Sequence, residues 1–184
     1  IGIGKDVFTD LTSGTKNVAI GTNALKTGTI AEKNVAVGYN SMGAYVKGDK
    51  NVAVGMQSLW GSTGDDNTAI GYYALQNAGG ADQATAVGSI SLFSNTSGVN
   101  TAVGYSSMYS TTTGSLNTAI GHQTLTACTT GYGNEAVGYG ALERVTTGYY
   151  NTGVGYLAGE DITTGYRNVC LGQYAGKAIT EGYQ

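Results

Sequence analysis

The run Asn134-Glu135-Ala136-Val137-Gly138-Tyr139-Gly140-Ala141-Leu142-Glu143-Arg144-Val145-Thr146-Thr147-Gly148-Tyr149-Tyr150 is followed at once by Asn151-Thr152-Gly153-Val154-Gly155, which starts the same pattern again. Outward from it, the block Asn-Val/Thr-Ala-Val/Ile-Gly opens and closes at Asn17 and Gly21, Asn34 and Gly38, Asn51 and Gly55, Asn67 and Gly71, Asn100 and Gly104, Asn117 and Gly121, and Asn168 and Gly172. One copy, 84–88, lacks its Asn. With Gly4 included, the closing glycines are always 16 or 17 residues apart. Helical-hairpin repeats need about 33 residues, whereas short β-branched runs bounded by glycine turns predict strands. The whole chain, 1–184, therefore reads as one all-β, parallel β-solenoid of the β-roll or β-helix kind, with about ten coils of 16–17 residues.

Stacking places each repeat position above itself, so every column must tolerate its own kind. Asparagine does this through amide ladders, and the closing glycine marks a bend needing positive φ or close backbone approach. After the glycine come an Ala/Ser column (Ala24, Ser41, Ser58) and a Leu/Met column (Leu25, Met42, Leu59), which ends in Gly159 and Gly176. A third apolar column runs through Leu11, Cys128, Val145, Ile162 and Ile179, and three inward columns predict a flattened or triangular coil. Inside the block, the small residue (Ala19, Ala36, Ala53, and on to Gly153 and Cys170) alternates in facing with Val or Ile. With Val and Ile taken as inward, the small residues make an outward face specified in ten successive coils, which predicts a second chain packed on the alanines.

The composition agrees with a thin rod. Leu, Ile, Val and Phe make up 35 of 184 residues, beside 31 Gly and no Pro. That supply fills a core one or two side chains wide, completed by neighbouring chains. The net charge is −3 and no Lys/Arg cluster occurs, which argues against nucleic acid as a partner. No apolar run approaches the roughly 20 residues of a membrane span, so no membrane insertion is expected. Cys128 and Cys170 lack metal-ligand spacing, and no cofactor is implied. Ile1 enters three residues before a glycine, and Gly182-Tyr183-Gln184 stops one short of the next Asn, so the segment is expected to be cut from a longer array.

The block, with its trailing Tyr-x-Ala/Ser-Leu, resembles the head repeats of trimeric autotransporter adhesins. The longer form with Thr112-Thr113-Gly114, Thr129-Thr130-Gly131, Thr146-Thr147-Gly148 and Thr163-Thr164-Gly165 is even more similar to repeat regions of phage tail-fibre and tail-spike proteins. The resemblance covers nearly the whole chain. It implies a homotrimeric, fibrous segment of a virion tail that serves host attachment through a surface glycan or protein receptor, with a bacterial surface adhesin head as the alternative location. The repeats of those families are scaffold, so no binding residue carries over.

Catalysis needs unlike groups converging, and a repeat array supplies like groups in columns. His122, the sole histidine, stands where other copies have Tyr39, Tyr72, Tyr105, Tyr139 and Tyr156, and reads as a substitute for Tyr. No nucleophile elbow or acyltransferase hexapeptide occurs, so the chain is expected not to be an enzyme. A polysaccharide-processing enzyme would need paired carboxylates in a groove, whereas the acids sit at a turn edge: Glu32, Asp49, Asp65 and Asp82, beside Lys16, Lys33 and Lys50. These predict cross-coil ion pairs, with calcium among Asp49, Asp65, Asp66 and Asp82 as the sharper alternative. Tyr132, Tyr149 and Tyr166, with Tyr150 alongside, predict a stacked edge or a glycan-contact strip. Trp60 and Phe93 are expected to fill gaps in the two shortened coils. Ice binding on Thr68, Thr85, Thr101 and Thr118 is the remaining alternative, but that column switches to Val18, Val35 and Val52 and is broken by Glu135.

Overall fold

Residues with β-branched side chains flank the small residue of most blocks and favour an extended segment, which the glycine then ends. The computed structural model describes residues 1–44 and 47–181; the interrupted repeat at Gly182, Tyr183 and Gln184 lies outside them. The described residues hold eleven strands and no helix: β1 (Gly2–Ile3), β2 (Val18–Ile20), β3 (Val35–Val37), β4 (Val52–Val54), β5 (Thr68–Ile70), β6 (Thr85–Val87), β7 (Asn100–Val103), β8 (Asn117–Ile120), β9 (Glu135–Val137), β10 (Thr152–Val154) and β11 (Val169–Leu171). They join in chain order as one parallel sheet. Like residues pair with like, as Ala19 with Ala36 and Ala36 with Ala53. The chain is thus an all-β parallel solenoid of about ten turns.

Beyond the strands, ladder bonds between coils continue through tight turns. The closing glycines have φ between +109° and +141°, a region that side chains avoid, and a Cβ on Gly155 would lie 2.5 Å from the Gly172 carbonyl oxygen. Two i→i+3 turns follow in a typical coil, for example Ala24 N–H to Gly21 O at 3.2 Å and Cys128 N–H to Leu125 O at 3.2 Å. These turns put residues other than glycine into the left-handed region, including the core residues Leu25 (φ 46°), Met42 (49°) and Leu125 (48°). That costs about 1 kcal/mol each. Full burial and ladder bonds such as Leu25 N–H to Ser41 O at 3.0 Å offset the cost.

Facing within the strands is the reverse of the expectation from the sequence. Ala19, Ala36, Ala53, Ala69, Ala86, Ala102, Ala119 and Ala136 are fully buried, and the flanking Val, Ile and Thr face outward. The physical reason is volume: the Leu/Met column crosses the same narrow interior, and only a methyl group fits opposite it. Gly153 shows the limit, because a Cβ there would stand 2.8 Å from Leu142 Cγ. Where the core Leu gives way to Gly159, the interior is filled by Ile162 and Cys170; a Cβ at Gly159 would meet Ile162 Cδ1 at 3.1 Å. Small and large residues therefore trade places between columns at nearly constant core volume.

The asparagine column is buried and carries the polar half of the interior. Asn117 accepts from the Asn134 backbone N–H at 2.9 Å and donates through Nδ2 to Gly131 O at 2.8 Å. The same two bonds recur at Asn34, Asn51, Asn67, Asn134 and Asn151. Ala84 interrupts the ladder, which leaves Gly98 O without its usual amide donor. Asn95, from the third column of the same coil, takes the place: its Nδ2 reaches Gly98 O at 3.1 Å and its Oδ1 accepts from Asn100 Nδ2 at 3.1 Å.

Replacing Asn95 with Ala is expected to cost about 1–3 kcal/mol in urea unfolding, the penalty for unpaired buried groups. Adding Ala84→Asn should recover part of that loss, and a double-mutant cycle showing no coupling between the two positions would contradict the substitution of one amide for the other. Leu125→Ala, at a fully buried position, is expected to lose about 2–5 kcal/mol in the same assay.

Candidate functional site

With the alanines turned inward, the outer face of the sheet presents an aliphatic column along the full rod. Ile20 (37% exposed), Ile70 (40%), Ile120 (43%) and Val154 (40%) represent it. The neighbouring outward column carries Val18, Val35 and Val52 and then Thr68, Thr85, Thr101 and Thr118, all half-buried. Just past the glycine bend stands an aromatic ladder in which Tyr105, His122, Tyr139 and Tyr156 stack at 5.1, 5.1 and 5.2 Å. His122 is thus an exposed member of a ring stack, as its position in the repeat predicts, and its two ring neighbours there are tyrosines.

A second stack forms at the turn edge. Tyr132, Tyr149 and Tyr166 lie 5.0 and 4.8 Å apart, within 3° of parallel, and Tyr150 meets Tyr132 and Tyr149 edge-on. The coil rise equals the thickness of a ring pair, so facing rings cover each other. What this column offers to solvent is chiefly edges and hydroxyls, together with Tyr150, which is 52% exposed.

The acidic ladder serves the backbone more than it serves cations. Asp49 Oδ1 accepts from the Glu32 N–H at 2.8 Å, Asp65 from Asp49 at 2.7 Å, and Asp82 from Asp65 at 2.8 Å. Among the described residues, the Lys16, Lys33 and Lys50 column makes one cross-coil pair, Lys50 to Asp66 at 3.7 Å, and Lys33 pairs with Glu32 beside it at 3.9 Å; further cross-coil pairs join Arg144 to Glu160 at 3.7 Å and Lys177 to Glu160 at 3.9 Å. No group of three His, Cys, Asp or Glu able to hold a metal ion occurs among the described residues. Asp49, Asp65 and Asp82 each spend one oxygen on a backbone N–H and Asp66 pairs with Lys50, so the four do not converge on a common point.

Trp60 and Phe93 depart from expectation. The missing residue of each shortened coil falls after the third column, at Ser62 and Asn95, whereas both aromatics precede it, in an outward column that every coil possesses. Trp60 is 37% exposed, and Phe93 stacks on Tyr109 at 5.1 Å and meets Tyr73 edge-on at 6.3 Å. Neither fills a gap. Register within the third column, followed forward from each glycine, is the signal that reveals this.

Both cysteine thiols are buried. Burial pushes the Cys128 thiol up to about 11 and raises Cys170 in the same direction. An unfolded thiol with its ordinary value of 9.0 ionises first, so Cys128 lowers stability as pH rises from 9 toward about 11 and has no such effect below 9. A thiol-disulfide reagent at pH 8 is expected to label Cys128 only after denaturation; rapid native labelling would contradict its burial. No protein-family model, curated protein or solved structure matches the chain.

Proposed function

We propose that this chain is a structural segment of a fibrous attachment protein, of the phage tail-fibre kind, that works as a parallel homotrimer and is not an enzyme. The observation that carries this reading is the aliphatic column on the outer sheet face, repeated in register from β2 to β11. Contiguous apolar surface of that length marks an interaction site. Because the column runs parallel to the rod axis, identical copies associate side by side around a symmetry axis, and such a set closes without growing further. Resemblance of the repeat to trimeric fibres supplies the number three.

The columnar surface also supports a mechanical role over a catalytic one. Like groups stacked on like groups make ladders of rings, amides and methyls, and unlike catalytic groups do not meet. Ten coils at about 4.8 Å give a rod on the order of 50 Å, a shape for spanning distance. The virion tail is the location that fits this reading, with host recognition at the exposed turns.

Light scattering coupled to size exclusion is expected to give about three times the chain mass of 18.7 kDa. Ile120→Asp should yield a monomer that keeps its β-sheet circular dichroism, since the side chain is 43% exposed in the single rod. A wild-type monomer at micromolar concentration would overturn the trimeric reading.

A further inference from the structure

We propose a binding strip for a neutral oligosaccharide on the six middle coils, centred on Trp60; this identifies the ligand class and rests on the reading of the chain as an attachment fibre. The six residues after each closing glycine, at 39–44, 56–61, 72–77, 89–94, 105–110 and 122–127, include no Asp, Glu, Lys or Arg. The flanking coils all carry charge in the same segment: Lys5, Asp6, Asp10 and Lys26 on one side, and Glu143, Arg144, Glu160, Asp161 and Lys177 on the other. An uncharged surface along the rod, bounded by charge at both ends, fits a chain-like and uncharged ligand.

The chemistry inside the strip is that of a sugar site. Here the aromatics occupy three columns: Tyr72 and Tyr73 tilt at 38° to each other, Tyr73 meets Phe93 edge-on, and Phe93 and Tyr109 stack within one column as Tyr105 and His122 do in another. Gly43 stands one coil below Trp60 in its column and Gln76 one coil above, so neither position supplies a stacking ring. An indole face next to amides binds the apolar face of a pyranose and its in-plane hydroxyls together. Gln76 Nε2 donates to Gln57 Oε1 at 3.3 Å. That bond orients both amides and leaves the Gln57 NH2 and the Gln76 carbonyl for sugar hydroxyls.

Backbone strain points the same way. The turn column that holds Gln57 is left-handed in every coil; it takes Asn23, Asn40 and Gly140, which tolerate that conformation, and outside the strip also Leu157 and Tyr174. Within the strip it takes Ile90 (φ 52°), the one β-branched residue at positive φ among the described residues. The fold alone disfavours an isoleucine there, and local rules are broken where a surface has a further task. The strip begins just past the glycine bend, two residues beyond the aliphatic column of the strands.

Trp60 is the sole tryptophan, so its emission reports the site directly. The intact chain should be titrated with a panel of neutral hexasaccharides of glucose, galactose, mannose and N-acetylglucosamine, following Trp60 fluorescence and heat by calorimetry. At least one is expected to give a saturable emission shift, with Trp60→Ala or Gln57→Ala weakening its calorimetric affinity at least tenfold and Tyr149→Ala leaving it unchanged. Absence of binding across the panel at millimolar concentration overturns the proposal, as does affinity unaffected by Trp60→Ala. An emission shift that depends on protein concentration and not on sugar also overturns it, assigning the strip to contact between copies. Failure of the fibre reading is separate, because it appears as a monomeric mass in the scattering experiment.

Discussion

Buried side-chain amides set the height and angle at which each coil sits on the next, and the remaining columns inherit that geometry. From Asn17 to Asn151, each Asn of the column bonds forward twice, to the backbone N–H of its counterpart and to a turn carbonyl in the following coil. Both groups would otherwise be unpaired in the interior, so the bonds are specific as well as stabilising. With register held at one residue of the repeat, Ala stacks on Ala, Leu on Leu and Tyr on Tyr. The repair at Ala84 by Asn95 shows that the interaction is required even when its usual donor is absent.

A narrow interior imposes a second constraint. A 17-residue coil has room for one large side chain per level, and the left-handed turns at Leu25, Leu59 and Leu125 bring it inward. Everything opposite must then be small, which turns Val and Ile to the outside. A helix-capped sheet would bury those β-branched residues; here the geometry of the turn exports them, and the exported column is the surface on which the proposed assembly depends.

The outer surface has two characters. Where repetition is strict, rings and methyls stack on themselves and their faces are spent within the rod, as in Tyr132, Tyr149 and Tyr166. Where repetition lapses, Trp60 has Gly43 and Gln76 rather than rings beside it in its column, and Tyr73 meets Tyr72 and Phe93 at an angle. Recognition in a solenoid is favoured at such lapses, because a perfect ladder mostly satisfies itself.

Period, strand chemistry and the stacking of like residues were legible in the chain alone, because a 16–17-residue repeat with Asn and Gly at constant positions admits few other folds. The place of His122 in a ring column and the tyrosine stack followed from register as well. Side-chain facing did not, since Val-Ala-Val alternates identically whichever face is inward, and the choice is made by the Leu arriving from another part of the coil. A hint lay in the glycines at 133, 140, 159 and 176: they substitute in columns whose other members adopt positive φ, marking turns that Leu and Lys residues disguise. The pairing of Asn95 with Gly98, the use of Asp49 and Asp65 on backbone N–H groups, and the orientation of Gln57 and Gln76 were decided only by the tertiary structure, because each depends on which atoms of neighbouring coils come within a hydrogen bond of one another.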